Sequence, residues 1–173
     1  MKKLYSLIAF TVIAIISTTH AMQPARDPLF KLLDQFVPAT GTADWNAVFT
    51  ILQKLVQEGR TFTVNEYFSL GGLTLLCQAV QDGNFLATKM LIEEYGANPN
   101  GKTAASGVTP LMIACADGDV QIVKLLLKHG ADPFIKNNRG NDSFFFAETY
   151  ARYSPVKDDT VLQILKTYKS QHP

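Results

Sequence analysis

Two stretches of this 173-residue chain repeat one pattern at a spacing of about 35 residues. The first is GLTLLCQAVQDGNFLATKMLIEEYGANP, residues 72–99, and the second is GVTPLMIACADGDVQIVKLLLKHGADP, residues 107–133. Thr74 matches Thr109, and the stretches end alike in Gly-Ala-Asn-Pro and Gly-Ala-Asp-Pro. A repeat of roughly 20–50 residues is typical of units that stack and share one core along the stack. The repeat therefore predicts a solenoid.

Each unit has the pattern of two short helices followed by a loop. In the second stretch Thr109 can cap a first helix, and Pro110 then takes the first helical position, where no N–H is needed. After a break at Asp117 to Asp119, apolar residues recur at helical spacing in VQIVKLLLKHG. Gly130 is expected to end this second helix in the left-handed conformation. The predicted fold class is therefore all-α.

Weaker copies extend the pattern on both sides. DWNAVFTILQKLVQEG resembles the second half of an earlier copy, and GNDSFFFAETY resembles the opening of a later one. PLFKLLDQFV, residues 28–37, has the pattern of a short amphipathic helix. The predicted divisions are a leader at 1–21, an N-terminal extension with a capping helix at 22–43, a partial repeat at 44–71, full repeats at 72–106 and 107–139, a degenerate C-terminal cap at 140–169, and a tail at 170–173.

The second stretch resembles an ankyrin repeat, through Thr-Pro-Leu at its start and V-x-x-L-L-x-x-G-A-D at its end. Met112 and Cys77 replace the histidine usual in that family, and Leu75 and Ser143 replace the usual proline. After Ala147 the chain continues into ETYARYSPVKDDT, which the family pattern does not contain. The resemblance implies an ankyrin-repeat solenoid of about three to four helix-turn-helix repeats with projecting loops and helical caps.

The first 21 residues have the layout of a secretory signal peptide. Lys2 and Lys3 precede the apolar run LYSLIAFTVIAII, and small residues occupy positions 19 and 21. This predicts cleavage after Ala21 and export to a periplasm or to the medium, with no membrane attachment afterwards. An uncleaved anchor is the alternative, but the apolar run is shorter than the roughly 20 residues of a spanning helix.

The charge pattern bears on the class of partner. Removal of the leader takes away two lysines and no acid, which changes the formal net charge from +1 to −1. The sequence contains no run of Lys and Arg and no alternation of basic and aromatic residues. Nucleic acid is therefore not an expected partner.

The stretch GANPNGKT, residues 96–103, matches the pattern of a phosphate-binding loop. Such a loop follows a buried strand and opens a helix at its Lys-Thr, whereas the residues before Gly96 have helical spacing. The next copy contains GADPFIKN at the equivalent place, so the repeat itself accounts for most of the match. A nucleotide hydrolase that uses Lys102 and Thr103 is kept as a remote alternative.

The two cysteines are expected to be free and buried. Cys77 and Cys115 are 38 residues apart, about one turn out of step on neighbouring first helices. Such helices pack roughly 8–10 Å apart, whereas a disulfide needs Cα atoms within about 7 Å. Export favours a disulfide, which is the alternative.

The remaining chemical candidates have structural explanations. The three histidines, His20, His129 and His172, are too scattered to share a metal ion, and His129 suits the end of a helix. The pair Asp158-Asp159 suits a helix N-terminus better than general acid–base catalysis. No catalytic residue, metal or cofactor is expected.

Two apolar features each have two alternative interpretations. Phe144 to Phe146 are expected mainly in the core, with an exposed contact surface as the alternative. Phe134 stands where the family usually has asparagine, as at Asn100. It either docks on this aromatic run or serves as an anchor for a partner.

The resemblance implies a non-enzymatic module that binds another protein through its concave face, where the loop tips and the exposed side of its first helices make the contacts. A monomer is expected. The alternatives are a host-directed secreted effector and a self-associating envelope scaffold. The implied contact residues are Lys102, Thr103, Ser106, Val108, Asn138, Arg139 and Asn141 in the loops, Gln81, Asp82, Ala116, Asp117 and Tyr150 on the first helices, and Phe134 at a loop base.

Overall fold

The computed structural model describes Phe36 and residues 42–58, 64–65 and 72–172. The predicted leader and most of the predicted capping helix lie outside the described residues, although Phe36 is helical. The described part contains seven complete helices. They are α1 (Trp45–Gln57), α2 (Leu75–Gln81), α3 (Phe85–Glu93), α4 (Pro110–Asp117), α5 (Val120–Lys128), α6 (Ser143–Tyr153) and α7 (Thr160–Gln171).

The helices form two layers. The first helices α2, α4 and α6 stack in one layer, and the second helices α3, α5 and α7 stack in the other. Each first helix also packs against the second helix that follows it. The predicted all-α solenoid of stacked helix pairs is therefore confirmed.

Short side chains start most of these helices. The hydroxyl of Thr109 accepts the Met112 N–H at 3.3 Å, with Pro110 in the first helical position, and Thr74 does the same for Cys77 at 3.2 Å. The carboxylate of Asp119 accepts the Gln121 and Ile122 N–H groups, each at 3.0 Å. Gly130 follows α5 with a φ of 83°. The boundaries predicted from capping chemistry in this copy are confirmed.

Small residues let the first helices approach one another. Ala79, Ala114 and Ala147 occupy the same position of α2, α4 and α6, and each is at most 1% exposed. Larger apolar residues around them, such as Leu76 and Leu111, fill the space between the two layers and are also buried. The core is thus continuous along the stack, as close packing of short helices requires.

Asparagines connect successive units at the base of the loops. The Asn65 side-chain oxygen accepts the Asn98 N–H at 2.7 Å. One unit later the Asn100 side-chain oxygen accepts the Asp132 N–H at 2.8 Å, and its amide group donates to the Gly130 carbonyl at 3.0 Å. The series ends at the next equivalent position, which is Phe134. Asn100 therefore ties two complete units together through two hydrogen bonds.

Substitution of Asn100 by alanine is expected to lower the free energy of unfolding by about 1–2 kcal/mol, because both hydrogen bonds are lost. Asn100→Asp keeps the acceptor for Asp132 but places a carboxylate oxygen against the Gly130 carbonyl, so it should cost at least as much. Urea denaturation followed by circular dichroism measures both values. An unchanged free energy of unfolding in Asn100→Ala would show that the two bonds do not stabilise the stack.

The C-terminal cap departs from the earlier units. Helix α6 has 11 residues, against seven in α2 and eight in α4, because it continues into the first part of the inserted segment, as far as Tyr153. Phe145 is 47% exposed, whereas Met112 and Cys77, at the same position of α4 and α2, are fully buried. Within the described residues no further unit covers α6. Phe144 and Phe146 pack partly buried against the core, so only part of the aromatic run is exposed.

The helices of the described part are all too short or too polar to cross a membrane.

Candidate protein-interaction surface

The projecting loops stack on one another and form a continuous edge. The Asn138 backbone N–H donates to the Ser106 carbonyl at 3.0 Å, and the Lys102 ammonium donates to the Lys136 carbonyl at 3.0 Å. On the other side, the Ala104 N–H donates to the Gly72 carbonyl at 2.9 Å. Because each loop is bonded to its neighbours, the tips are held in fixed positions before any partner arrives.

Thr103 and Asn137 hold the two loops from inside. The Thr103 hydroxyl accepts the Val108 N–H at 3.0 Å and lies 2.9 Å from the Ser106 hydroxyl oxygen, and the side chain is buried. Asn137, 34 residues later, is also buried, and its side-chain oxygen accepts the N–H groups of Arg139 and Asn141. Thr103 therefore holds the loop together, and little of its side chain is exposed for the predicted contact with a partner. Asn137 was not among the residues predicted from the sequence, although short polar residues at equivalent loop positions are typical of such turns.

Three of the predicted loop residues project at the edge with exposed cationic or polar side chains, namely Lys102, Ser106 and Arg139. Asn138 is exposed as well, although its amide donates to the Ala105 carbonyl at 3.3 Å. Val108 and Asn141 are half-buried beneath the tips. With the exposed Lys136, the edge carries three cations.

The first-helix layer supplies the floor beside this edge. Gln81 and Ala116 occupy equivalent positions near the ends of α2 and α4, and both are exposed. Asp117 follows in α4 and is exposed, and Tyr150 of α6 is half-buried at the equivalent position. The Tyr150 ring lies directly against Gly118. The structure thus brings Ala116, Asp117 and Tyr150 onto one surface.

Asp82 does not join that surface as a free acid. Its carboxylate accepts the Ala43 N–H at 2.9 Å and the Trp45 indole N–H at 2.8 Å. The side-chain amide of Gln78 donates to its other oxygen at 2.8 Å. These bonds hold the start of α1 on the end of α2, and the predicted contact of Asp82 with a partner would have to compete with them.

The predicted first-helix residues include two acids, Asp82 and Asp117. Asp117 forms none of the hydrogen bonds that Asp82 forms to α1. Partial burial raises the pKa of its carboxyl, and the charge of nearby Asp119 raises it further. When the ionised form of a carboxylate is disfavoured, an approaching cation stabilises that form. The floor at Asp117 is therefore suited to a basic group of a partner.

Phe134 was expected either to dock on the aromatic run or to anchor a partner, and in the structure it docks on that run. Its ring stacks on Phe144 with centroids 5.7 Å apart, and the Lys169 ammonium lies 5.9 Å from the Phe134 centroid. The side chain nevertheless remains 42% exposed. It stabilises the end of the array and presents one apolar face beside the last loop.

The stretch at residues 96–103 has the geometry of a repeat loop. The Gly101 N–H donates to the Asn98 carbonyl at 3.0 Å, and the Thr103 N–H donates to the Val108 carbonyl at 2.9 Å. The Thr103 hydroxyl, which would have to bind a nucleotide-associated magnesium ion, is engaged inside the loop. These amides are bonded within the loop and are not free to hold a phosphate, so the geometry does not support the nucleotide-binding alternative.

Both cysteines are free and buried in the first helices. Burial raises the pKa of Cys77, and it raises the pKa of Cys115 to about 12. Little thiolate is present at neutral pH, and thiolate is the reactive form. The thiols therefore act as small core groups, as the interpretation of free cysteines requires.

In the folded chain neither thiol is expected to react measurably with a disulfide reagent at about pH 8. After denaturation in about 6 M guanidinium, both thiols of each chain should react. Absorbance of the released thiolate gives the count. A denatured chain that released none would contradict the assignment of free cysteines and indicate a disulfide.

The other polar candidates lie at helix ends. His129 follows α5, where its Nε2 lies 3.3 Å from a Glu93 oxygen. The Asp158 carboxylate accepts the Thr160 hydroxyl and also the Thr160 N–H, the latter at 2.8 Å, at the start of α7, and these two bonds lower its pKa. No group of three His, Cys, Asp or Glu side chains suited to a metal ion occurs in the described ranges.

Comparison with known proteins agrees with this architecture. Residues 43–141 match the family model for ankyrin repeats in three copies. Over 70 residues, 40% of this chain, the sequence is 41% identical to human protein phosphatase 1 regulatory subunit 27, of which the match covers 44%. Over 72 residues, 42% of this chain, it is 42% identical to mouse 2-5A-dependent ribonuclease, of which the match covers 10%.

A longer match of 102 residues, 59% of this chain, is 28% identical to the ankyrin repeat and KH domain-containing protein mask-1 of Caenorhabditis elegans. It covers 4% of that protein, so the chain spans less than half the length of each of these relatives. What all the matches share with this chain is the repeat. Ankyrin repeats are protein–protein interaction modules and are generally not catalytic. The family match covers more than half of the chain, and the chain belongs to the ankyrin-repeat family.

Proposed function

We propose that this chain is exported and binds a partner protein through the loop edge and the adjoining floor of first helices. The supporting observation is the bonding between the loops. Asn138 and Lys102 each reach across to the neighbouring loop, so the exposed tips at Ser106 and Arg139 are already ordered. A surface that is ordered before binding loses little conformational entropy when a partner docks.

The surface also has a definite chemical character. Lys102, Lys136 and Arg139 line the edge, whereas Asp117 lies on the floor beside Tyr150. A partner would place acidic groups along the edge and a basic group over Asp117. Tyr150 adds an aromatic contact of the kind that carries much of the energy in protein interfaces.

The relatives support the type of function and not its details. One of them is, by its name, a regulatory subunit of a phosphatase, and its match covers 44% of that protein. For this chain the same kind of role, binding without catalysis, is the simplest function. A secreted effector aimed at a host protein and a self-associating envelope scaffold are variants of it that differ in the partner.

Site-specific photo-crosslinking in the native host tests the surface. A photoreactive residue replaces Arg139 in one variant and Gln163, on the exposed side of α7, in a matched control. We expect one cross-linked protein from position 139 and none from position 163. Equal cross-linking from both positions, or cross-linking from 163 alone, would contradict the proposed surface.

The mass of the cross-linked species separates the variants of the function. A product of twice the chain mass indicates the self-associating scaffold, and a different product identifies another protein by mass spectrometry. Light scattering on the purified chain checks the expected monomer independently.

Cell fractionation with N-terminal sequencing tests export. A chain that starts at Met22 in the periplasm or in the medium is the expected result. A chain that starts at Met1 and sediments with membranes would contradict export and cleavage.

A further inference from the structure

A groove runs between the second helices α3 and α5, on the layer opposite to the first-helix floor. It has a volume of about 230 Å³ and follows the exposed sides of both helices. Phe85, Lys89 and Glu93 line it from α3 at intervals of one helical turn. From α5 it is lined by Gln121, Lys124, Leu125 and Lys128.

The charged groups of the groove are mostly cationic. Lys89, Lys124 and Lys128 face a single acid, Glu93. The Glu93 carboxylate is already engaged, because it lies 3.9 Å from the Lys89 ammonium and 3.3 Å from His129 Nε2. Within the described ranges neither Lys124 nor Lys128 forms an ion pair. Two unpaired ammonium groups one helical turn apart therefore favour carboxylates placed at a similar spacing.

One end of the groove is apolar. Phe85 begins α3 and is 42% exposed, and Leu86 beside it is 64% exposed. Large apolar side chains at such positions are typical contact anchors in interfaces. The groove therefore combines an apolar end with a basic middle.

We propose that the α3/α5 groove binds an acidic segment of a partner protein that carries one large apolar side chain. The apolar side chain packs on Phe85, and the carboxylates bind Lys124 and Lys128. This surface is separate from the loop edge, and its occupation does not depend on the function proposed for that edge. An anionic membrane is a poorer fit, because it presents a broad surface, whereas the groove lies between two helices and is lined from both sides.

The sequence alone did not indicate this groove. Lys89 and Lys124 are 35 residues apart, so no basic run exists along the chain. The stack brings them together because equal positions of successive units lie side by side.

Selection of acidic peptides tests the proposal. A phage-displayed library of random peptides of about 12 residues, long enough to follow helices of this size, is selected on the purified chain. The double variant Lys124→Glu, Lys128→Glu serves for counter-selection, and circular dichroism checks its folding. We expect enriched peptides with several acids and one aromatic or leucine residue. Their affinity should fall at least about tenfold on the double variant, because two attractive contacts become repulsive.

A matched control reverses two lysines elsewhere. In the variant Lys54→Glu, Lys166→Glu, both substituted positions are exposed and lie outside the groove and the loop edge, so peptide affinity should change by less than about threefold. Peptides that bind the Lys124/Lys128 variant and the parent chain equally would overturn the proposal, as would enriched peptides without an excess of acids.

Binding to anionic vesicles tests whether a membrane, rather than a protein segment, occupies the groove. Cosedimentation is measured with phosphatidylcholine vesicles that contain about one-third phosphatidylserine. Binding that disappears in the Lys124/Lys128 variant, without any selected acidic peptide, would assign the groove to a membrane and overturn the protein partner. No vesicle binding together with lysine-dependent peptides supports the proposal.

Discussion

Replacement of Gly118 by alanine is expected to lower the free energy of unfolding by about 2–4 kcal/mol. Gly118 ends α4 with a φ of 71°, a conformation that costs a residue with a Cβ atom about 1 kcal/mol. The Cβ would also overlap the ring of Tyr150. Relief of that overlap requires the ring to leave the surface of α4, and such overpacking typically costs a further 1–3 kcal/mol or so.

Gly83 provides a matched control within the same chain. It occupies the equivalent position after α2 with a φ of 63°, but a Cβ there would meet nothing within 4 Å. Gly83→Ala should therefore show the conformational cost alone, about 1 kcal/mol. Urea denaturation of both variants measures the difference.

The same substitution in a chain without Tyr150 isolates the contact between residue 118 and the Tyr150 ring. In a Tyr150→Ala chain the overlap no longer exists, so Gly118→Ala should then cost about as much as Gly83→Ala. A penalty that stays the same with and without Tyr150 would show that the ring does not restrict this position.

The features that were predictable from the sequence depend on local chemistry repeated at a fixed spacing. Thr109 and Pro110 start a helix wherever they occur before an apolar helical pattern, and Gly130 ends one. Because these residues act on their own neighbours, a single sequence is sufficient to place them. The solenoid followed, since a unit of two short helices cannot bury its apolar face alone.

Features that depend on contacts between units were not predictable in the same way. Asp82 and Asp117 occupy equivalent positions, and both were assigned to the binding surface, yet only Asp82 receives the indole N–H of Trp45. The partner is 37 residues away in a partial copy whose alignment the repeat did not fix. The end of α6 is a similar case, because its extra residues have no counterpart in the family pattern.

The predictions for the loop residues depend both on local chemistry and on contacts within the folded loop. The repeat identified the correct segments, but it did not separate side chains that project from those that hold the loop. Thr103 and Ser106 are three residues apart and similarly polar, and only the buried bond from the Val108 N–H assigns Thr103 an internal role. That distinction is a property of the folded loop.

Substitution of Asp82 by alanine is expected to lower the free energy of unfolding by about 2–4 kcal/mol. The carboxylate accepts three hydrogen bonds, from the Ala43 N–H, the Trp45 indole N–H and the Gln78 amide. Bonds to a charged acceptor are stronger than neutral ones, and the loss of the acceptor leaves a largely buried indole N–H without a partner.

The loss of stability in Asp82→Ala should be largest at α1. Trp45 begins α1 and is the single tryptophan of the chain, so its fluorescence reports on this contact. The side chain is 9% exposed in the folded chain. In Asp82→Ala the emission should shift to longer wavelength and change at lower urea concentration than the circular dichroism of the remaining helices. The stacking of Phe49 on Tyr95, with centroids 5.9 Å apart, still holds α1 on the array, so partial rather than complete release is expected.

Asp117→Ala is the matched control, because Asp117 occupies the equivalent position on α4 and bonds no part of α1. It should change the free energy of unfolding by less than about 0.5 kcal/mol and leave the tryptophan emission unaltered. Asp82→Asn keeps one acceptor oxygen and should fall between the two alanine variants. If Asp82→Ala leaves the emission of Trp45 unchanged, the bond from the indole to this carboxylate does not determine the position of α1.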